Sequence, residues 1–276
     1  MLQRRRLSGI VPYLALVVVA VFSIFPMYWS FVVASTGDSA IAASVPPLLP
    51  GGKLFDNIGR VFDSVDFWLA MRNSLIVSST LMCANVLLAS VAGFVFAHMN
   101  FRGRNTIFLL IVGTAMIPAQ LGIIPLFLLV SEIGWYGQLQ AVIVPGLTSA
   151  FSVFWMRQAC EESVSGELLD SARIDGCSPL QMFRNVAWPA IRPQATVLAM
   201  LTFLAAWNDY FWPLVVLDPN DSPTVQVALS KLASGYFTDY SLMLTGATLG
   251  VTPILIVFFI FAKYIVRGVM RGVVRV

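Results

Sequence analysis

Ser74-Leu75-Ile76-Val77-Ser78-Ser79-Thr80-Leu81-Met82-Cys83-Ala84-Asn85-Val86-Leu87-Leu88-Ala89-Ser90-Val91-Ala92-Gly93-Phe94-Val95-Phe96-Ala97 contains no Asp, Glu, Lys, Arg or His. About 20 apolar residues in a helix reach across the ~30 Å hydrocarbon layer of a bilayer, so this stretch is long enough to cross one. Lipid offers no hydrogen bonds to an exposed backbone, so such a stretch must be helical. Five others are free of charge in the same way: Ile10–Ala34, Thr106–Val130, Leu139–Met156, Gln194–Ala206 (running on through Trp207 to Leu217) and Ser241–Ala262. Together they predict an all-α membrane protein with six transmembrane helices.

Composition points the same way. Of 276 residues, 58% are hydrophobic and 11% charged, with a mean hydropathy of +0.82. A soluble domain carries about 25% charged residues, and disorder requires low hydrophobicity, so both classes are excluded. The net charge of +3 is too small for a phosphate-binding footprint. The expected surroundings are lipid, with no nucleic acid. Arg4-Arg5-Arg6 resembles the start of a signal peptide, but a cleavable apolar core runs only about 7–15 residues. Ile10–Ala34 is longer, so it is expected to remain as the first span.

Orientation follows from the basic residues, which concentrate on the cytoplasmic side of membrane proteins. Arg4 to Arg6, Arg102, Arg104, Arg157, Arg173, Arg184, Arg192, Lys263, Arg267, Arg271 and Arg275 fall on one side. Lys53, Arg60, Arg72 and Lys231 fall on the other. Both termini, residues 1–9 and 267–276, are therefore expected in the cytoplasm. Residues 35–72 form an outer loop, and residues 73–266 form a five-span core with a cytoplasmic loop at 157–192. The tryptophans fall near the two interfaces, where this residue serves as an anchor. Cys83, Cys160 and Cys177 are odd in number and widely spaced, so they are expected as packed small residues.

The chemistry that is missing narrows the function. Ion-coupled transporters place Asp, Glu or His inside the bundle; here the acid nearest a span's core is Asp209, at the outer end of the fifth. The lone histidine, His98, is expected at the surface of a cytoplasmic turn, without a role. No phosphate-binding loop, zinc-protease motif, nucleophile elbow or dinucleotide fingerprint is present. The chain is expected not to be an enzyme, to bind no metal or cofactor, and to draw its energy from elsewhere.

That energy has a candidate entry point in Arg157–Arg192. Ser165 is positioned to cap a helix with Glu167 and Asp170 in its first turns, where negative charge suits the dipole. Leu168, Leu169 and Ala172 form an apolar stripe. Gly176 stands where a left-handed cap is expected. Ser178, Pro179 and Gln181 then make a capping-box start, and Pro189 is expected to end the second helix. Helices this short are marginal alone and must dock on something. The membrane face of the chain itself and a cleft on a partner fit the pattern equally.

The segment Glu167-Leu168-Leu169-Asp170-Ser171-Ala172-Arg173-Ile174-Asp175-Gly176, closed by Pro189, resembles the Glu-Ala-Ala loop of bacterial ATP-binding-cassette importer permeases. Asp170 replaces the usual Glu and Ser171 the first Ala, so charge and small size are kept. The likeness extends through Asn73-Ser74-Leu75, Phe101-Arg102-Gly103-Arg104, Met116-Ile117-Pro118, Trp188-Pro189 and Trp207-Asn208 with Pro213-Leu214. It is closest to permeases of the carbohydrate-uptake type. The resemblance implies an inner-membrane, multi-pass permease subunit. Its partners would be a second permease, as a heterodimer, two ATP-binding subunits and an extracytoplasmic solute-binding protein. ATP and Mg would reside on the ATPase. Glu167, Asp170, Ser171, Ala172, Arg173, Asp175 and Gly176 would couple to that ATPase.

On the outer side, Phe55, Ile58, Val61 and Phe62 have the spacing of a short amphipathic helix, expected to lie on the membrane surface after a Pro46-Pro47 and Pro50-Gly51-Gly52 turn. Trp207, Asn208, Asp209 and Tyr210 group aromatic rings with polar partners, which suits sugars as well as interfacial anchoring or interhelical contacts. Asp218, Asn220, Asp221 and Lys231 lie in the last outer loop. In similar permeases that loop reaches toward the binding protein; a plain solvated connector fits equally. Two alternatives remain open: an importer for another small solute such as glycerol phosphate, and a membrane scaffold or sensor.

Overall fold

The computed structural model describes residues 2–37, 47–233 and 239–273, with side chains placed for those between 12 and 262. Every regular element among the described residues is helical. The side chains of Arg4 to Arg6 and of Lys263 onward, and the Pro46 side of the predicted outer turn, lie outside the described residues. The chain divides into two compact units, Met1–Trp68 with Ala228–Thr252 and Leu69–Val227 with Pro253–Val276.

Among the described residues, four helices are long and apolar enough to cross a membrane, covering Pro12–Ala34, Phe67–His98, Pro179–Asn208 and Tyr240–Ala262, and a bent pair makes up to five. The first lies in α1 (Leu2–Ala34), the second is α3 (Phe67–His98), and the last opens α13 (Tyr240–Val273). Among the described residues, two of the six expected stretches are broken helices. Thr106–Val130 is broken into α4 (Arg104–Thr114) and α5 (Ile123–Glu132), joined by a 3-10 turn at Ala119–Gly122 and bent by 88°. The cause is Pro118, which is extended (φ −57°, ψ 125°), has no N–H to donate, and disfavours helix at the residue before it. Leu139–Met156 is also interrupted. α6 covers only Gln140–Ile143, and α7 runs Ala150–Ser163, with Pro145 and Gly146 in the gap.

In the first unit, α2 (Leu54–Ser64) confirms the amphipathic spacing, but part of its face turns inward. Val61 and Asn57 are buried, and Phe55 is exposed. Asn57 Nδ2 donates to the carbonyls of Ala34 at 2.9 Å and Thr36 at 2.8 Å, and Thr245 Oγ1 donates to Ala34 at 3.1 Å. These contacts satisfy carbonyls that the end of α1 would otherwise leave without partners. Arg60 pairs with Asp239, whose carboxylate also accepts the Leu242 N–H at 2.9 Å. Desolvation pushes the Asp239 carboxyl up, but the Leu242 N–H, the Ser241 hydroxyl and the Arg60 guanidinium outweigh it and hold its pKa below the usual value.

The second unit holds two apolar clusters. One gathers Phe94, Phe96, Val153, Met156, Leu169, Met182, Ile191 and Leu198, and the other Val77, Leu81, Val130, Val142, Val216 and Leu217. α3 reaches α7 at very close range through Gly93, where a β-carbon would sit 2.6 Å from the Met156 carbonyl carbon. Such small-residue contacts are how helices pack when lipid supplies no hydrophobic drive.

Candidate functional site

The segment between residues 157 and 192 forms as its local chemistry dictates. Ser165 is extended (φ −72°, ψ 143°) and its hydroxyl accepts the Leu168 N–H at 3.4 Å, opening α8 (Gly166–Ile174). Glu167 lies in the first turn and Arg173 in the last, as the helix dipole favours. Gly176 adopts φ 78°, donating its N–H to Arg173 at 3.0 Å while the Cys177 N–H reaches Ala172 at 2.9 Å. That pair of bonds is a Schellman cap, and only glycine takes its left-handed position without strain. Ser178 and Gln181 then exchange both capping-box bonds to start α9 (Pro179–Met182), with Pro179 in its first turn.

Pro189 does not stop this second helix. A π-helical segment at Phe183–Ala187 leads directly into α10 (Trp188–Asn208), with Pro189 in its first turn. The helix continues through the proline by way of this π turn, which locally departs from the α ladder. The expected fifth span thus lies inside a longer helix. It ends at Asn208, and α11 (Phe211–Val216) is separate.

Docking divides α8 between the two readings left open. Leu169 and Ala172 are buried in the cluster with Met182 and Ile191. Leu168 does not join them: it is 57% exposed, with Ile174 at 87% and Leu180 at 73%. Glu167, Asp170, Ser171, Arg173, Asp175 and Gly176 are exposed as well, and Asp170 pairs with Arg173 at 2.7 Å. An exposed i,i+3 pair of this kind contributes ~0.5 kcal/mol or less. The result is an uncovered rim of large apolar side chains interleaved with charge, the composition of a contact surface.

Several contacts behind the segment were not legible in the sequence. His98 is half-buried, donating from Nε2 to the Cys160 carbonyl at 3.2 Å and packing on Phe94, so it joins α3 to α7 instead of facing solvent freely. Arg157 lies 4.0 Å from the Phe108 ring centre and 2.9 Å from Glu161. Cys160 is buried as expected, and that burial, with the Glu161 charge, pushes its thiol pKa up to about 12. Cys177 is half-buried, whereas Cys83 is exposed, contrary to the packed reading.

At the other end of α10 the predicted cluster separates. Trp207 is 1% exposed, its ring stacked on Phe203 at 5.6 Å and its carbonyl accepting from Gln226 at 3.3 Å. It offers no ring surface to a ligand in this conformation. Asn208 and Tyr210 are exposed, while the Asp209 carboxylate accepts the N–H groups of Phe211 and Trp212 at the start of α11. In the loop after α11 Asp218 is turned inward on its own backbone, accepting from Asn220 at 2.7 Å and Asp221 at 3.3 Å. Asn220 and Asp221 are exposed. The loop is more than a connector. Lys231 sits in the last turn of α12 (Val225–Leu232), half-buried. Asn73 donates to the Pro223 carbonyl at 3.0 Å, and Ser74 accepts the Val225 N–H at 2.8 Å, tying the loop to α3.

Comparison with known proteins bears on this arrangement. Residues 85–271 match the family described as the binding-protein-dependent transport system inner membrane component. The lactose transport system permease protein of Rhizobium radiobacter is 34% identical over 98% of both chains. The arabinooligosaccharides transport system permease protein of Halalkalibacterium halodurans is 33% identical over 82% of this chain and 81% of its own. The sn-glycerol-3-phosphate transport system permease protein of Salmonella typhi is 28% identical over 98% of this chain and 99% of its own. A chain in the crystal structure of a bacterial ABC transporter involved in the import of the acidic polysaccharide alginate shares the fold. It has a TM-score of 0.80 and 24% identity, over 94% of this chain and 96% of that one. With the apolar helices, the capped helix pair and a family match over most of its length, the chain belongs to the inner-membrane components of binding-protein-dependent transport systems.

Proposed function

We infer that this chain forms the membrane pathway of an ATP-driven importer for a carbohydrate. A binding protein would deliver the sugar from outside, and separate ATPase subunits would power its passage. The observation that carries this reading is the uncovered rim of α8 and α9, where Leu168, Ile174 and Leu180 stand exposed beside Asp170 and Asp175. A doubly capped helix pair of this kind suits insertion into a cleft of an ATPase, with Glu167, Asp170, Ser171, Arg173, Asp175 and Gly176 at the contact and Ala172 buried behind them in the chain's own core. Closure of two such ATPases on ATP and Mg would move the helix pair and exchange inward for outward access. In this reading the bent and broken helices complete six crossings with both termini in the cytoplasm. A second permease completes the pathway.

Relatives named for lactose and arabinooligosaccharides support a sugar. The relative named for sn-glycerol-3-phosphate supports the alternative of an anionic solute. The outer face is poor in the Arg and Lys that recognise phosphate, and Arg60 is already paired with Asp239. Sugar is therefore preferred. Asn208 and Tyr210 are the proposed pathway contacts, with Asp209 and Trp207 shaping the helix end beneath them. Asp218, Asn220, Asp221 and Lys231 are the proposed contacts of the binding protein. Affinity purification from native membranes tests the reading: an ATPase with a phosphate-binding loop is expected to copurify, and Leu168→Glu with Ile174→Glu is expected to release it. Copurification unchanged by the double substitution rejects this contact, and absence of any such ATPase favours a scaffold.

A further inference from the structure

The fourth apolar stretch is interrupted where an uninterrupted helix would be easiest to bury. α6 ends at Ile143, and Ser149 is extended (φ −132°, ψ 153°) before α7 begins. A break among apolar residues leaves backbone groups that lipid cannot satisfy, so something in the protein must do so. Asn85 on α3, 3% exposed, performs that task within the gap and at its far side. Its Nδ2 donates to the Gly146 carbonyl at 2.8 Å and to Leu81 of its own helix at 3.2 Å. Its Oδ1 accepts from Ser152 Oγ at 2.9 Å. Ser152 Oγ lies 2.8 Å from Ser149 Oγ, which accepts the Ser152 N–H at 3.1 Å as the cap of α7. One amide therefore links a carbonyl inside the break to the cap that follows it. Gly146 closes the contact, since a β-carbon there would lie 3.0 Å from Leu81 Cδ2.

From this gap to α8 the connection is made by packing: the chain is extended at Val164 (φ −114°, ψ 106°) and Ser165, but Val164, Leu169 and Ala172 share one buried cluster with Val153, Met156 and Cys160 of α7. α7 is a continuous helix ending at Ser163, and only buried Val164 separates it from Ser165, the cap of α8. The helix is braced along its length by Gly93 against Met156, by Trp155 donating to Gln194 at 3.2 Å, and by Arg157. A displacement of α8 is passed through this shared cluster to α7, and so to the gap at residues 144–149. We propose that Asn85 is a positioning residue for transport. It clamps the break in the fourth stretch so that α7 pivots there with α8 while α6 stays in place. The clamp consists of neutral amide and hydroxyl groups, which exchange partners without moving charge. This inference rests on the coupling role of α8 and α9 proposed above.

The test uses the intact complex with its ATPase subunits in nanodiscs. Cys83, Cys160 and Cys177 are replaced by alanine, Thr148→Cys reports on the gap, and maleimide labelling is timed with and without ATP, Mg and vanadate. Trapping is expected to change the labelling rate by at least about fivefold, the low end of ordinary coupling between distant sites. Asn85→Leu is expected to abolish that change while ATP hydrolysis persists, Asn85→Gln to restore part of it, and Ser152→Ala to add nothing to Asn85→Leu. An Asn85→Leu complex that keeps the full ATP-dependent change overturns the clamp alone. A parent complex whose labelling ignores ATP overturns the coupling role as well. Should Asn85→Leu fail to assemble, Ser152→Ala alone decides, and an undiminished change in that variant rejects the proposal.

Discussion

Gly93 has no room for a side chain, because Met156 and Arg157 backbone atoms lie 2.6 and 2.7 Å from where its β-carbon would be. Gly93→Val is expected to force α3 and α7 apart at a cost of about 1–3 kcal/mol, the usual range for overpacking. The check is a lowered melting temperature of the detergent-solubilised protein, with Gly59→Val as a control that meets open space. Asp239 carries a pH prediction of definite sign. Its folded pKa lies below the ordinary value of 3.8, so its stabilisation is fully present above that value and is lost as pH falls through the lowered pKa. Asp239→Asn keeps an acceptor for Leu242 but loses the charge facing Arg60. The melting-temperature gap between parent and variant should therefore be steady near neutral pH and close below the carboxylate range. A gap that stays constant into that acid range counts against the ion pair. Neither residue announced itself in the sequence, since Gly93 is one of 19 glycines and Asp239 one of 14 acids. Only the approach of another helix makes them matter.

At the scale of elements, caps were readable and kinks were less so. Ser165, Gly176 and the Ser178–Gln181 box act within a few residues of backbone, so their positions follow from local chemistry. Pro189 was misleading because proline blocks a helix only where its missing N–H and its ring find no accommodation, and the π segment before it provides one. Pro118 and Pro145 had the opposite fate within stretches that looked continuous by hydropathy. Gly176→Asp is expected to strain the left-handed cap by about 1 kcal/mol and tilt α9 against α8, while the chain still inserts in the membrane. In vesicles carrying the assembled importer, ATP hydrolysis should continue while uptake falls. Uptake at the parental rate would show that the bend is dispensable.

For the molecule as a whole, the unequal distribution of basic residues predicts which way it sits. Thirteen of the 17 Lys and Arg residues fall on the expected cytoplasmic side. Reporter fusions at both ends should be active only as cytoplasmic reporters, and cysteines at Asp221 and Asp56 should react with impermeant maleimide from outside. Labelling of these two positions only after the membrane is opened would invert the topology. The sequence by itself determined the all-helical membrane class and the capped helix pair of residues 165–182. These follow from transfer energies and near-neighbour hydrogen bonds, which depend on composition and short spacing. The tertiary structure decided which apolar stretches break, which side of α8 is covered, that Trp207 is buried, and that Asn85 ties Gly146, inside a gap 61 residues away, to the cap that follows it. Those outcomes depend on what a distant helix places opposite each residue, and hydropathy along one chain does not contain that pairing.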